Sequence, residues 1–385
     1  MNNKLYPWML RGVIALFMAA MFASCGVLDQ ISKGKQGDTE YGSVFHKQQI
    51  LLVATLGDKS EEGAVYTYGI MPQKLEAKQL STFYTPSPTF MAFNTIRNHL
   101  YITNELPNDA MLTATTFNSS SGAITSLNQS YTLGAEPTYV ALQDDKVITA
   151  NYGGGNITLF RTESDGTLSE ANWRIDLSAD GSLSRPHSIF FTPSGKDVYV
   201  TDLAQDKVFH FRVHRTVPPI TVGHEQTVLS KGSGPRHIIF DRQGKYAYVV
   251  NEKKPTVMVY RKHFNGVLEL VQEINTGRPT DGAAAHIALS KDGRYLYTSH
   301  RINGDGIVVF SVDQRSGEIK QIGFQPTGKH PRQFTLSPDG KYMAVAARDS
   351  GQVEFYRRDR DTGLLEPTGY TIKTKKPVFL LWEEF

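Results

Sequence analysis

The sequence has little cysteine, little net charge and no helical periodicity, and each shortage argues against a class of protein. Its 385 residues contain one cysteine, so the chain cannot form an internal disulfide. The formal net charge is +3, and no basic stripe alternates with aromatic residues, which argues against a nucleic-acid partner. No HExxH motif or dense carboxylate cluster indicates a metal. We therefore expect a protein without a metal, a cofactor or a nucleic-acid partner.

The first 24 residues have the organisation of an export signal. Lys4 and Arg11 precede an uncharged stretch rich in Ala, Met, Phe and Leu, which ends in two small residues before Cys25. This stretch is shorter than the roughly 20 apolar residues that a membrane-spanning helix needs. The pattern predicts a lipoprotein signal peptide over residues 1–24.

Cys25 stands where such a signal places its lipidated residue. The segment FASC resembles a bacterial lipobox, with Phe22 where that motif usually has Leu. The resemblance implies lipidation at Cys25, and the polar residues 25–47 are expected to form a flexible tether. We therefore expect an exported protein of the bacterial envelope, anchored to a membrane and facing the periplasm or the cell surface.

An internal repeat determines the predicted fold of residues 48–385. Seven segments begin with Pro or Ala and continue with alternating apolar residues, and their starts lie 49, 49, 49, 49, 47 and 46 residues apart. A period of this length is typical of a β-propeller blade. The segments are PTFMAFN from Pro88, PTYVAL from Pro137, PHSIFFT from Pro186, PRHIIFD from Pro235, AAHIALS from Ala284, PRQFTLS from Pro331 and PVFLLW from Pro377.

The two ends of this region complement each other. Turns containing Gly separate short β-rich runs in each unit, which predicts four strands per unit. The unit from Pro377 holds only a first strand, whereas residues 50–56 and 63–70 resemble second and third strands without a first. We therefore predict an all-β, seven-bladed β-propeller whose last blade is shared between N- and C-terminal strands, which leaves no open edge.

Polar residues recur at two positions of the repeat, the start of the first strand and the end of the second. Antiparallel strands bring these positions to the same end of the central channel. Histidines, arginines and carboxylates gathered there supply a base, cations for an oxyanion and donors for sugar hydroxyls. The candidate site residues at these positions are His187, Arg236, Glu252, Arg301, His237, His286, Arg332, Asn151, Asn251 and Asp202.

Several segments that do not repeat resemble the propeller-type 6-phosphogluconolactonase family, which is similar to fungal carboxymuconate lactonizing enzymes. Among them are YGGGNITLF from Tyr152, RPHSIFFTPSGKDVYVTDL from Arg185 and GPRHIIFDRQGKYAYVVNE from Gly234. The resemblance implies a catalytic site of one histidine, two arginines and one glutamate, which leaves the other six candidates for substrate binding. By motif the four catalytic residues are His187 in RPHS, Arg236 in GPRH, Glu252 in VVNE and Arg301 in TSHR.

The same resemblance implies a hydrolase that acts on 6-phosphoglucono-1,5-lactone or a related sugar lactone, and we expect it to be metal-independent and monomeric. Glu252 or a neighbouring histidine then activates water, Arg236 and Arg301 stabilise the tetrahedral intermediate, and His187 serves the leaving alkoxide. His300 stands where the family often has Asn, so the substrate stays open. Two alternatives also stay open: a non-catalytic surface propeller that binds glycan or protein, and a metal-dependent gluconolactonase-like enzyme with oxygen ligands.

Overall fold

The computed structural model describes residues 48–385, except for 58–61, 95, 97, 172, 179–180 and 224–225. The predicted signal peptide, Cys25 and the tether lie outside the described residues. Within the part of the chain that is described, the regular structure is β-strand. No helix in that part is long and apolar enough to cross a membrane.

Short strands follow one another along the chain, joined by tight turns. In chain order the first fifteen are β1 (Gln49–Leu56), β2 (Gly63–Met71), β3 (Glu76–Tyr84), β4 (Pro88–Asn94), β5 (His99–Asn104), β6 (Met111–Phe117), β7 (Ile124–Tyr131), β8 (Pro137–Gln143), β9 (Lys146–Asn151), β10 (Asn156–Arg161), β11 (Trp173–Asp176), β12 (Pro186–Phe191), β13 (Asp197–Asp202), β14 (Lys207–Val213) and β15 (Ile220–Val222). The others are β16 (Thr227–Val228), β17 (Pro235–Phe240), β18 (Tyr246–Asn251), β19 (Thr256–Lys262), β20 (Leu268–Asn275), β21 (Ala283–Leu289), β22 (Tyr295–Arg301), β23 (Gly306–Val312), β24 (Ile319–Pro326), β25 (Pro331–Leu336), β26 (Tyr342–Ala347), β27 (Gln352–Arg358), β28 (Leu365–Lys373) and β29 (Pro377–Glu384).

These strands form seven antiparallel sheets, which are the blades of a propeller. Six blades consist of consecutive strands, namely β4–β7, β8–β11, β12–β16, β17–β20, β21–β24 and β25–β28. The seventh, here called the shared blade, has the order β29-β1-β2-β3, with Leu51 opposite Trp382 and Val53 opposite Leu380. The predicted seven-bladed fold and its closure by both chain ends are confirmed.

The first strands of the blades stand side by side around the central channel. Strand β4 contacts β8, and the contacts continue through β12, β17, β21, β25 and β29 back to β4. The apolar core lies between neighbouring blades, where, for example, Ile148 and Leu159 of one blade pack with Val198 and Phe211 of the next. Each fully buried side chain of this size contributes about 1.5–3 kcal/mol to stability.

Tyrosine hydroxyls tie each of three blades to the blade that follows. The second-strand residues Tyr101, Tyr199 and Tyr297 donate to the backbone oxygens of Gly166, Gly266 and Gly363 over 3.1, 2.6 and 2.9 Å. Gly266 has a φ of +94°, and a Cβ there would lie 1.9 Å from the His210 ring. Only glycine therefore fits at this position. These glycines lie in the turns between third and fourth strands, so those turns also make contacts between blades.

Candidate functional site

In most blades a β-bulge directly follows the first residue of the first strand and turns a side chain toward the channel. In five blades the pairing between first and second strands skips one residue after the opening proline. A bulge of this kind turns its extra residue out of the regular register. The residues that the pairing skips are Thr138, His187, Arg236, Arg332 and Val378.

All five of these residues line one small cavity. First strands of six blades contribute to its wall, so the cavity lies in the central channel. Its volume is about 10 Å³, which is close to the space that one water molecule needs. The lining residues are Thr89, Phe90, Thr138, His187, Arg236, His237, Arg332, Gln333, Val378 and Phe379.

Glu252 joins two buried arginines at the edge of this cavity. Its Oε2 lies 2.8 Å from Nε of Arg236 and accepts a 3.0 Å hydrogen bond from Nη2 of Arg301. Burial and the nearby Arg301 lower the pKa of Arg236 to about 9, while Glu252 acts against this shift. Both guanidiniums are therefore charged at neutral pH, and one carboxylate oxygen orients them.

A chain of neutral histidines continues from Arg236. Its Nη1 lies 3.0 Å from Nε2 of His237, and Nδ1 of His237 lies 3.0 Å from Nδ1 of His286. Because a guanidinium only donates, His237 accepts at Nε2 and donates from Nδ1 to His286. Burial, followed by the charge of Arg236, lowers the pKa of His237 well below its usual value and that of His286 to about 3.

His187 is buried in the same place, and one nitrogen of its ring makes no hydrogen bond to the residues described. Its Nδ1 has no hydrogen-bond partner among the residues that the structure describes. The ring lies 5.3 Å from that of His237 and 5.7 Å from that of Tyr152. Burial, then the charges of Arg236, Arg332 and Arg301, hold the pKa of His187 well below its ordinary value. The imidazole is therefore neutral at physiological pH and surrounded by cations.

Three of the predicted substrate-binding residues lie inside their blades. Asp202 accepts hydrogen bonds from Ser184 Oγ (2.5 Å) and the Arg185 backbone N–H (3.0 Å). Asn251 donates to Thr256 Oγ1 over 2.9 Å, and Asn151 donates to the Thr132 backbone oxygen over 3.0 Å. All three are fully buried, so these contacts hold neighbouring loops. Their role in substrate binding stays a prediction, whereas His237 and Arg332 do line the cavity.

The structure also adds residues that were not predicted. His330 contacts Arg301, and Asp349 contacts His330. Glu105, which stands at one of the predicted polar positions after a second strand, lies 3.7 Å from Arg332. His330 directly precedes a repeat start, as Arg185 and Gly234 do. A search of the position before each repeat start would have found it.

Two other features bear on the chemistry. Among the residues described, no group of three or more His, Cys, Asp or Glu side chains is arranged to hold a metal ion. A larger cavity of about 460 Å³ lies at the end of the shared blade, with Thr55, Tyr66, Tyr84 and Lys375 in its wall. Its described wall contains neither histidine nor arginine, so the charged side chains around the channel cavity are the candidate catalytic groups.

The ring of seven antiparallel sheets defines a seven-bladed β-propeller, and the histidine, arginine and glutamate side chains in its channel define a site of hydrolytic type. Residues 50–382 match the family described as lactonase, 7-bladed beta-propeller. The chain therefore belongs to this lactonase family, as its motifs predicted.

Individual relatives agree with this assignment. The chain is 30% identical over 304 residues to a 6-phosphogluconolactonase of Bacillus subtilis, covering 76% of this chain and 86% of the relative. It is 27% identical over 332 residues to a 6-phosphogluconolactonase of Formosa agariphila, with 82% and 94% covered. The solved structure of the periplasmic gluconolactonase of Pseudomonas aeruginosa is 28% identical with a TM-score of 0.82, covering 87% of this chain and 99% of that one.

Proposed function

We propose that this protein hydrolyses a sugar lactone at the channel mouth. The observation that carries the proposal is a neutral, buried His187 in the same cavity as Arg236, whose guanidinium Glu252 orients. Lactone hydrolysis needs a proton acceptor for water and positive donors for the oxyanion, and this arrangement supplies both. Relatives named 6-phosphogluconolactonase and gluconolactonase support a sugar lactone as the substrate.

In the proposed reaction a water oxygen bonds to the lactone carbonyl carbon while His187 accepts the water proton. Arg236 and Arg301 stabilise the negative charge that develops on the carbonyl oxygen. The bond between that carbon and the ring oxygen then breaks. His187 returns its proton to the leaving alkoxide, and the product is an open-chain hydroxy acid.

In this scheme Glu252 orients the two arginines and is not the base. Both arginines contact its Oε2, at 2.8 and 3.0 Å, so that oxygen is committed to orienting them. His187 makes no such contact through Nδ1 with any described residue. Of the two bases expected from the sequence, glutamate or histidine, this geometry favours the histidine.

A lactonase assay tests the proposal. The purified protein is offered 6-phosphoglucono-1,5-lactone and glucono-1,5-lactone, with and without a chelator, and the acid released is measured above the spontaneous rate. We expect enzymatic hydrolysis of at least one lactone with no effect of chelator, and loss of that activity in His187→Ala. His263→Ala, which changes an exposed histidine paired with Glu269, is the matched control. Absence of hydrolysis would favour a binding propeller, and loss with chelator would favour a metal enzyme.

We also propose that the protein is exported as a monomer and anchored through a lipid on Cys25. The FASC segment supports this anchor, and the gluconolactonase relative is described as periplasmic. Acyl chains contribute about 0.8 kcal/mol per buried CH₂ group, so lipid should dominate membrane attachment. Cys25→Ser should move the protein from the membrane pellet to the soluble exported fraction on cell fractionation. A variant that stays in the pellet would contradict the anchor.

A further inference from the structure

His330 contacts the terminal nitrogen of Arg301 that Glu252 does not contact. Nη1 of Arg301 lies 3.0 Å from Nε2 of His330, while Nη2 of the same guanidinium donates to Glu252. Nδ1 of His330 lies 3.2 Å from Oδ2 of Asp349. Both terminal nitrogens of Arg301 are therefore engaged, one by a carboxylate and one by a histidine.

The donors in this chain follow from the chemistry of its members. A guanidinium has no acceptor, so Nη1 of Arg301 donates and Nε2 of His330 accepts. The proton of a neutral imidazole must then be on Nδ1, where it points to the Asp349 carboxylate. Burial, together with Arg301 and Arg348, lowers the pKa of His330, which keeps the ring neutral. Asp349 thus selects the tautomer that Arg301 requires.

The backbone is set to hold this ring in place. His330 has a φ of +59°, a left-handed conformation that is uncommon for residues other than glycine. Its N–H donates to Asp305 Oδ1 over 2.8 Å, and its backbone oxygen accepts from the Arg348 N–H over 3.0 Å. The equivalent residue before Pro235 is Gly234, which has a similar φ of +62° and no side chain. Ser87, Glu136 and Lys376, which precede three other repeat starts, also have positive φ values of 39°, 52° and 40°, so this conformation belongs to the turn of the repeat and sets the direction in which the His330 side chain leaves the backbone.

We propose that His330 and Asp349 are positioning residues for lactone hydrolysis, which fix the orientation of the Arg301 guanidinium. The inference rests on the proposed function. The Arg301 guanidinium must lie close to the developing oxyanion in order to stabilise it. A displacement of a catalytic group by about 1 Å lowers the rate on the order of 10²-fold. His330 acts through Arg301 and does not touch the substrate in this scheme.

His330→Asn tests the inference without disturbing the turn, because asparagine tolerates the left-handed conformation. We expect kcat to fall roughly 10- to 100-fold with a smaller change in KM. Lys376→Asn is the matched control, since Lys376 also precedes a repeat start with a positive φ of 40° and its Nζ contacts Gly57. Asp349→Asn keeps an acceptor oxygen and should retain more activity than Asp349→Ala.

A double-mutant cycle with Arg301→Ala separates positioning from a direct role. If His330 acts through Arg301, His330→Asn should cause no further loss in the Arg301→Ala background. The same loss in both backgrounds, or no loss in the unmodified protein, would overturn the inference.

The tautomer of His330 gives a second readout that does not depend on catalysis. NMR of ¹⁵N-histidine-labelled protein should find the His330 proton on Nδ1, and Arg301→Ala should shift the Nε2 resonance. A proton on Nε2 would overturn the inference. An unmodified protein that hydrolyses no lactone would instead contradict the proposed function, while the NMR result still tests the contact.

Discussion

The shared blade and the β17–β20 blade have the same geometry at the channel and differ in chemistry. In the β17–β20 blade, Arg236 follows the opening proline and Glu252 follows the second strand. In the shared blade the equivalent residues are Val378 and Leu56. Val378 lines the same cavity as Arg236. The repeat therefore provides equivalent positions in every blade, and the side chains at those positions decide which blades serve the reaction and which close the ring.

Removing residues 377–385 should have the largest effect, because it deletes the first strand of the shared blade. Val378, Leu380 and Trp382 are at most 4% exposed. At about 1.5–3 kcal/mol each, they approach the ~5–15 kcal/mol that stabilises a typical domain, and strand β1 would become an open edge. We expect loss of cooperative thermal unfolding by circular dichroism. A truncated protein with unchanged melting would contradict closure through this blade.

Arg236→Lys, in the β17–β20 blade, should have the next largest effect. Lysine keeps the charge but lacks the planar group that contacts Glu252 and His237 together. We expect kcat/KM to fall roughly 10²- to 10³-fold. Leu51→Ala in the shared blade should instead lower the free energy of unfolding by about 2–5 kcal/mol and leave kcat within about twofold of the unmodified value. If both variants change the same quantity, the division between the two blades is wrong.

The pH dependence of kcat/KM sharpens the assignment of His187 as the base. The base must be neutral to accept a proton, and burial beside arginines holds the pKa of His187 well below its ordinary value. The neutral form therefore persists as pH falls through 6.5, and activity declines only when pH falls through the lowered pKa. We expect a flat profile across neutral pH with its acid limb well below 6.5. An inflection at 6.5 or above would point to a different base.

The repeat made the blades and the charged channel predictable, because a period near 49 residues places equivalent positions at the same end of the ring. It did not predict which way neighbouring side chains turn. Asn251 and Glu252 are consecutive, yet Asn251, the last residue of its strand, turns to Thr256, whereas Glu252, in the loop that follows, turns to the arginines. The position of His330, directly before a repeat start, could be predicted from the repeat, but its contact with Arg301 could not. Its ring reaches Arg301 only through a left-handed backbone that the spacing of the repeat does not reveal.

Ile302 should give the smallest effect and the finest test of the comparison. It directly follows Arg301, is 64% exposed and has a φ of +76°, a conformation that is strongly disfavoured for a β-branched residue. Ile302→Asn should relieve this strain and raise the free energy of unfolding by about 1 kcal/mol in denaturant titrations. Lys253→Asn is the control, because Lys253 follows Glu252 at the same repeat position, and its effect should stay within about 0.5 kcal/mol. If the strain also orients Arg301, the more stable Ile302→Asn variant should turn over lactone more slowly. A variant that gains no stability would contradict the strain itself.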